Sequence, residues 1–187
     1  MAQLVLLTAT GGLLVTIFWL GRDRADLLLH TLLRPALLAM MALLLLVIAL
    51  DADALWPYGL VAAACFVGLW ESYSGVYQLL AAPAAPRTTA VEQVRICAAW
   101  MINVLSNLVL LNFAAYLAFP STYQWRDQPA SLLDVAYFTM LTFASGGYGD
   151  VLPATALGKL LAMLTSICGL TYATILFAAL FQRLRAD

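Results

Sequence analysis

From Ile96 to Phe119 the chain carries no charged residue, and from Leu160 to Gln182 it again carries none. Each run is long enough to cross a membrane, because a hydrocarbon core of about 30 Å takes about 20 apolar residues as a helix. Between them lies Ser131–Phe143, an apolar stretch too short to span, followed directly by Ala144-Ser145-Gly146-Gly147-Tyr148-Gly149-Asp150. A chain that enters a bilayer on half a helix and then breaks into glycine must bury that backbone in protein or line a water-filled cavity with it. Composition agrees with a membrane setting. Of 187 residues, 64% are hydrophobic and 10% charged, and a soluble domain of this size carries far more charge on its surface.

Three further apolar runs precede these two. Leu4–Leu20 is uncharged, Pro35–Leu50 follows an Arg- and Asp-containing loop, and Leu55–Leu80 is interrupted only by Glu71. Pro35 fits the first turn of its helix, where its missing N–H costs nothing. The expected fold class is therefore all-α transmembrane, with five spans and one short re-entrant helix. Ser131 and Asp134 have the spacing of a capping box at the start of that helix.

Lys and Arg set the orientation. With a cytoplasmic C-terminus, the inside carries seven basic residues, Arg22, Arg24, Arg34, Arg87, Arg95, Arg183 and Arg185, and the outside only two, Arg126 and Lys159. The N-terminus is then expected outside. Trp19, Trp56, Trp100 and Trp125 fall near span ends, as an interfacial aromatic belt does. The start lacks the basic residue and cleavage pattern of a signal peptide. Short loops and high Ala and Leu content suggest a bacterial inner membrane. Cys65, Cys97 and Cys168 are odd in number and sit in apolar runs, so they read as small core residues.

Three glycines in four positions cannot form a stable helix interior. They suit a backbone that takes positive φ and brings carbonyls close to a ligand. An extended segment of this kind leaves its carbonyls without an internal ladder, and a dehydrated cation can pair with them. The short helix also aims its negative C-terminal end, near Phe143, at the same place.

The stretch Asp134–Pro153, with Gly147-Tyr148-Gly149-Asp150 between a half-helix and a full span, resembles the pore module of tetrameric potassium channels. The resemblance covers about Ile96–Arg185. It divides the chain into an N-terminal three-helix region (1–82), a cytoplasmic linker (83–95) and a pore domain (96–187). Within the last it implies an outer helix (96–119), a pore helix (131–143), a filter (144–150) and an inner helix (156–183). The backbone carbonyls of Ser145, Gly146, Gly147 and Tyr148 would then replace the hydration shell of K+. Gly149, Asp150, Tyr137 and Leu141 would support the filter, with Tyr137 as the expected hydrogen-bond partner of Asp150. One filter per chain implies a homotetramer embedded in lipid. Gly146 departs from the family, which has valine or isoleucine there; glycine removes side-chain packing behind the filter and adds backbone freedom. A nonselective or sodium-permeable cation channel, and a non-conducting structural or regulatory subunit, therefore stay open beside potassium conduction.

Other residues carry two readings each. Gly169, midway along the last span, is a candidate gating hinge or a point of close helix packing. Glu71 is a candidate gating or proton-sensing group, or a structural ion pair with Arg22, Arg24, Arg87 or Arg95. Asn103 and Asn107 share a helical face and are expected to hydrogen-bond the N-terminal helices rather than to line an ion path. Thr165, Ser166, Thr171 and Thr174 either line a cavity or bond their own helix backbone, the latter for most of them. His30 is a lone loop histidine. The N-terminal spans lack the arginine ladder of a voltage sensor. No nucleophile–base pair, metal cluster or phosphate loop is visible, so neither an enzyme, a cofactor other than the permeant ion, nor a nucleic-acid partner is expected.

Overall fold

The structure is a computed structural model that describes residues 39, 42, 46, 55–81, 90–126, 130–147 and 149–184. The first two expected spans, apart from Ala39, Ala42 and Leu46, lie outside those residues. So do His30, Arg22, Arg24, Arg34, Arg87, Arg185 and Tyr148. The chain forms two compact units, Met1–Leu110 and Leu111–Asp187.

The first unit contains helix α1 (Trp56–Ala81) and helix α2 (Ala90–Ala118) as far as Leu110. Helix α2 begins at Ala90, inside the stretch expected to be a linker. The reason is local: Ala90-Val91-Glu92-Gln93-Val94-Arg95 contains no glycine or proline, and Glu, Gln and Arg are good helix formers despite their charge or polarity. In α2, Trp100 is 1% exposed and meets the Tyr73 ring of α1 edge-on, at 5.3 Å between centroids. Gly68 of α1 is required by close approach, since a Cβ there would sit 2.5 Å from Asn107 Oδ1. Asn107 Nδ2 donates to the Asn103 carbonyl at 2.9 Å within its own helix, and its Oδ1 is buried without a partner. Among the described residues, Asn107 thus bonds its own helix and packs its amide against a glycine rather than bonding another helix.

The second unit holds the end of α2, a single 3-10 turn at Pro120–Thr122, strand β1 (Tyr123–Trp125), helix α3 (Leu132–Phe143), strand β2 (Val151–Pro153) and helix α4 (Ala156–Leu184). Strands β1 and β2 pair antiparallel, with Tyr123 opposite Pro153 and Trp125 opposite Val151. They join the segment before α3 to the segment after the glycines. The expected all-α fold thus carries one small two-stranded pair. Thr122 locks it in place: its carbonyl accepts from Ala154 N–H at 3.0 Å and Thr155 N–H at 3.4 Å. Thr155 in turn caps α4, its Oγ1 accepting from Gly158 N–H at 3.2 Å.

Tyr116, Tyr123, Trp125, Val135 and Phe138 form the buried core of this unit. The rings meet edge-on or tilted, with Tyr123 and Phe138 centroids 5.0 Å apart and Tyr123 and Trp125 at 5.7 Å. Such pairs contribute about 0.5–1.5 kcal/mol each beyond burial. Among the described residues, two helical segments are long and apolar enough to cross a membrane, Cys97–Ala118 and Ala156–Ala178, and Leu132–Phe143 is a shorter apolar helix between them. Cys65 and Cys168 are buried and Cys97 is half-buried.

Candidate functional site

Helix α3 is built to start and stop sharply. At its N-terminus Ser131 Oγ accepts from Asp134 N–H at 3.2 Å, and Asp134 Oδ2 accepts from Ser131 N–H at 2.7 Å and from its hydroxyl at 2.6 Å. The capping box read in the sequence is therefore complete. Hydrogen bonds from the Ser131 side chain and then its backbone hold the Asp134 carboxyl below its ordinary range.

The C-terminus ends in a Schellman arrangement. Ser145 N–H donates to Thr142 O at 3.1 Å and Gly146 N–H to Leu141 O at 2.8 Å, the paired bonds of that motif. The residue at its left-handed position is Ser145, with φ 58°. A non-glycine residue there costs about 1–2 kcal/mol, so the surrounding contacts hold it. Of the glycines in this segment, Gly149 takes positive φ, at 76°. Positive φ was expected of the glycines as a group; it falls on the two ends of the segment instead. Among the described residues, no backbone hydrogen bond ends on the carbonyls of Ser145, Gly146 or Gly147. Those are three of the four carbonyls expected to meet a cation.

Helix α4 grips the same end of α3. Ser166 Oγ donates to Thr142 O at 3.3 Å, and Tyr172 packs its ring on Phe143 with centroids 5.9 Å apart. Between them lies Gly169, where a Cβ would overlap the Phe143 carbonyl oxygen. Ser166, Gly169 and Tyr172 are three residues apart in turn and so share one face of α4. Of the four hydroxyl residues weighed for α4, Thr165, Thr171 and Thr174 bond carbonyls of their own helix, each at 2.8 Å. Ser166 is the one of the four whose hydroxyl proton goes to another helix.

The sequence reading missed a polar network buried in this unit. Asn112, Thr139 and Thr165 are each 0% exposed. Asn112 Nδ2 donates to Thr139 Oγ1 at 3.3 Å and to Thr165 Oγ1 at 3.4 Å. Tyr123 OH donates to Asn112 Oδ1. Each threonine passes its own proton to a helix carbonyl, Thr139 to Val135 O at 2.7 Å and Thr165 to Leu161 O at 2.8 Å. Burial pushes the Tyr123 phenol up, so it stays a neutral donor. One amide thereby ties α2, β1, α3 and α4 together.

Of the expected supporting residues, Leu141 is half-buried and its carbonyl caps the Ser145–Gly146 turn. Tyr137 is 42% exposed on α3. Asp150 lines an open cavity of about 320 Å³ with Gln124, Trp125, Arg126, Gly149 and Leu152. An added Cβ at Gly146 would meet one atom, Leu141 O, at 3.6 Å, and at Gly147 it would meet nothing within 4 Å. Glu71 is half-buried in α1, and its carbonyl accepts from Ser74 Oγ at 3.1 Å.

Comparison with known proteins covers this same part of the chain. The profile of a family described as "Ion channel" matches residues 104–186. A relative named "Two-pore potassium channel 4", from Arabidopsis thaliana, is 35% identical over an alignment of 80 residues that covers 39% of this chain and 27% of that protein. The chain therefore aligns with little more than a quarter of that relative. No solved structure matches the chain. The matches support a channel pore module and point to a transport protein of the membrane rather than an enzyme.

Proposed function

We propose that residues 96–184 form the pore module of a potassium-selective channel, assembled from four copies of this chain around a central axis. The observation that carries this reading is the placement of the Ser145–Asp150 segment. It leaves the end of a half-length helix, returns beside β1 through β2, and is flanked by two apolar helices of spanning length. Its carbonyls at Ser145, Gly146 and Gly147 make no backbone bond among the described residues. With Tyr148 they supply the rings that would replace the hydration shell of K+. One such segment per chain requires four chains to close the ring. The positive-inside count puts the segment at the outer face, with the C-terminus in the cytoplasm. Helix α1 and the two preceding runs cross the same membrane in this reading.

A second reading is a less selective cation pore, and Gly146 favours it. The nearest atom to an added Cβ at Gly146 is 3.6 Å away, so the position has room for a side chain that it lacks.

The test is potassium flux into liposomes holding the purified protein, beside Gly147→Ala. Potassium enters with wild type, and Gly147→Ala abolishes entry while cross-linking still gives tetramers. Equal flux through both proteins would place conduction elsewhere.

A further inference from the structure

The pore reading gives no role to the buried Asn112 amide, which bonds two helices and a strand. Resting on that reading, we propose that Asn112 is the positioning residue of the pore, holding α3 against α4 so that the segment after α3 keeps its conducting shape.

Hydrogen-bond direction shows why asparagine is needed. Both threonine hydroxyl protons are committed to helix carbonyls, at Val135 and Leu161. Their oxygens can therefore only accept. The partner between them must offer two donors on one atom, and an amide nitrogen does so. The remaining amide oxygen then needs a donor, and Tyr123 OH supplies it. Aspartate, of the same shape, has no donors for the two threonines. Leucine would leave the Tyr123 hydroxyl buried and unpaired.

The position of the network explains why it acts on the segment rather than on stability alone. Thr165 is next to Ser166, which bonds the Thr142 carbonyl, and four residues before Gly169, whose backbone meets the Phe143 carbonyl. Thr139 lies one turn before Phe143 on α3. A shift of α3 along α4 at the Thr139–Asn112–Thr165 bridge therefore moves the Thr142 and Phe143 contacts with it. Those contacts adjoin the two bonds that fix Ser145 in its left-handed turn. Tyr123 carries the same constraint to β1, which pairs with β2 on the far side of the segment. The segment is thus held at both ends by one side chain.

The test compares wild type with Thr139→Val, Thr165→Val, Thr139→Ser, Tyr123→Phe, Asn112→Ala and the Asn112→Ala, Thr139→Val double variant in planar bilayers. It reads the reversal potential in a potassium–sodium gradient and the open fraction, beside tetramer yield. Each valine variant removes one acceptor and keeps the shape. Each should lower the permeability ratio or the open fraction at least about fivefold, the change expected when a buried donor loses its partner. Thr139→Ser keeps the oxygen and should stay within about twofold of wild type. Asn112→Ala combined with Thr139→Val should be no worse than Asn112→Ala alone, because both remove the same bond. If the valine variants fail to assemble, Tyr123→Phe decides: it removes the donor to Asn112 Oδ1 and the tie to β1, and should lower the open fraction at least about twofold. Valine variants with reduced stability but wild-type reversal potential and open fraction would overturn the proposal, leaving the network merely structural. So would an unchanged Tyr123→Phe. A wild type that passes no potassium overturns the pore reading itself, and this proposal with it, before any variant is compared.

Discussion

Replacing Gly169 by alanine sets two measurable effects against each other. Alanine in a helix interior is favoured over glycine by about 0.8–1.0 kcal/mol. Against this, the new Cβ would overlap the carbonyl oxygen of Phe143, with the carbonyl carbon and Cα of the same residue close behind. Overpacking costs about 1–3 kcal/mol. The upper part of that range applies, because the obstacle is backbone rather than the tip of a flexible side chain. The adjoining backbone is also held against the same face of α4 by the Ser166–Thr142 bond. The net expectation is a loss of about 1–2 kcal/mol, read as a lower denaturation midpoint of the detergent-solubilised protein. Gly59 of α1 supplies the control, since nothing lies within 4 Å of an added Cβ there. Gly59→Ala should gain a few tenths to about 1 kcal/mol from reduced freedom of the unfolded chain. The two substitutions are chemically identical and should move stability in opposite directions. A Gly169→Ala protein as stable as Gly59→Ala would refute the close approach of α4 to the end of α3.

Two further expectations concern the ends of α3. Ser131→Ala removes the hydroxyl from the capping box and should cost about 0.5–2 kcal/mol. The Asp134 carboxyl, held low by Ser131, contributes stability that is complete above the ordinary aspartate range, near about 3.9, and is lost as pH falls through its lowered value. Acid unfolding curves of wild type and Ser131→Ala should therefore converge at low pH, and a constant gap would contradict this. Gly146→Val should raise the potassium-to-sodium permeability ratio, because the nearest atom to its Cβ is at 3.6 Å and the branched side chain stiffens the segment; a lower ratio in bi-ionic recordings would count against Gly146 as the weak point.

The helices of the second unit were legible in the sequence because their signals are local. Ser131 and Asp134 announce α3 three residues apart, and the glycine run marks its end. Alternation and period, however, need length. Tyr123–Trp125 and Val151–Pro153 are three residues each, so their pairing could not be read from pattern. The Asn112 network was hidden for a related reason. Its hydrogen-bonded partners lie 11, 27 and 53 residues away in sequence. Asn112 stands in the same uncharged run as Asn103 and Asn107, and nothing local distinguishes it. In the structure the difference is plain: Asn107 bonds its own helix, whereas Asn112 bonds two others and a strand. Ser145 stands out in the sequence for its carbonyl, whereas in the structure its backbone occupies the left-handed position of the α3 cap, where glycine is the usual choice. At Ala90–Arg95 good helix propensity outweighs the charges, and α2 begins about a turn and a half before its apolar run.

The central claim is that the Ser145–Asp150 segment selects potassium. It is tested most directly by the reversal potential of purified wild-type protein in a bilayer, with potassium on one side and sodium on the other. A potential displaced strongly toward the potassium equilibrium value, with no current left to reverse in Gly147→Ala, is the predicted result. A wild-type current reversing near zero would contradict selectivity and leave the cation pore without a potassium filter.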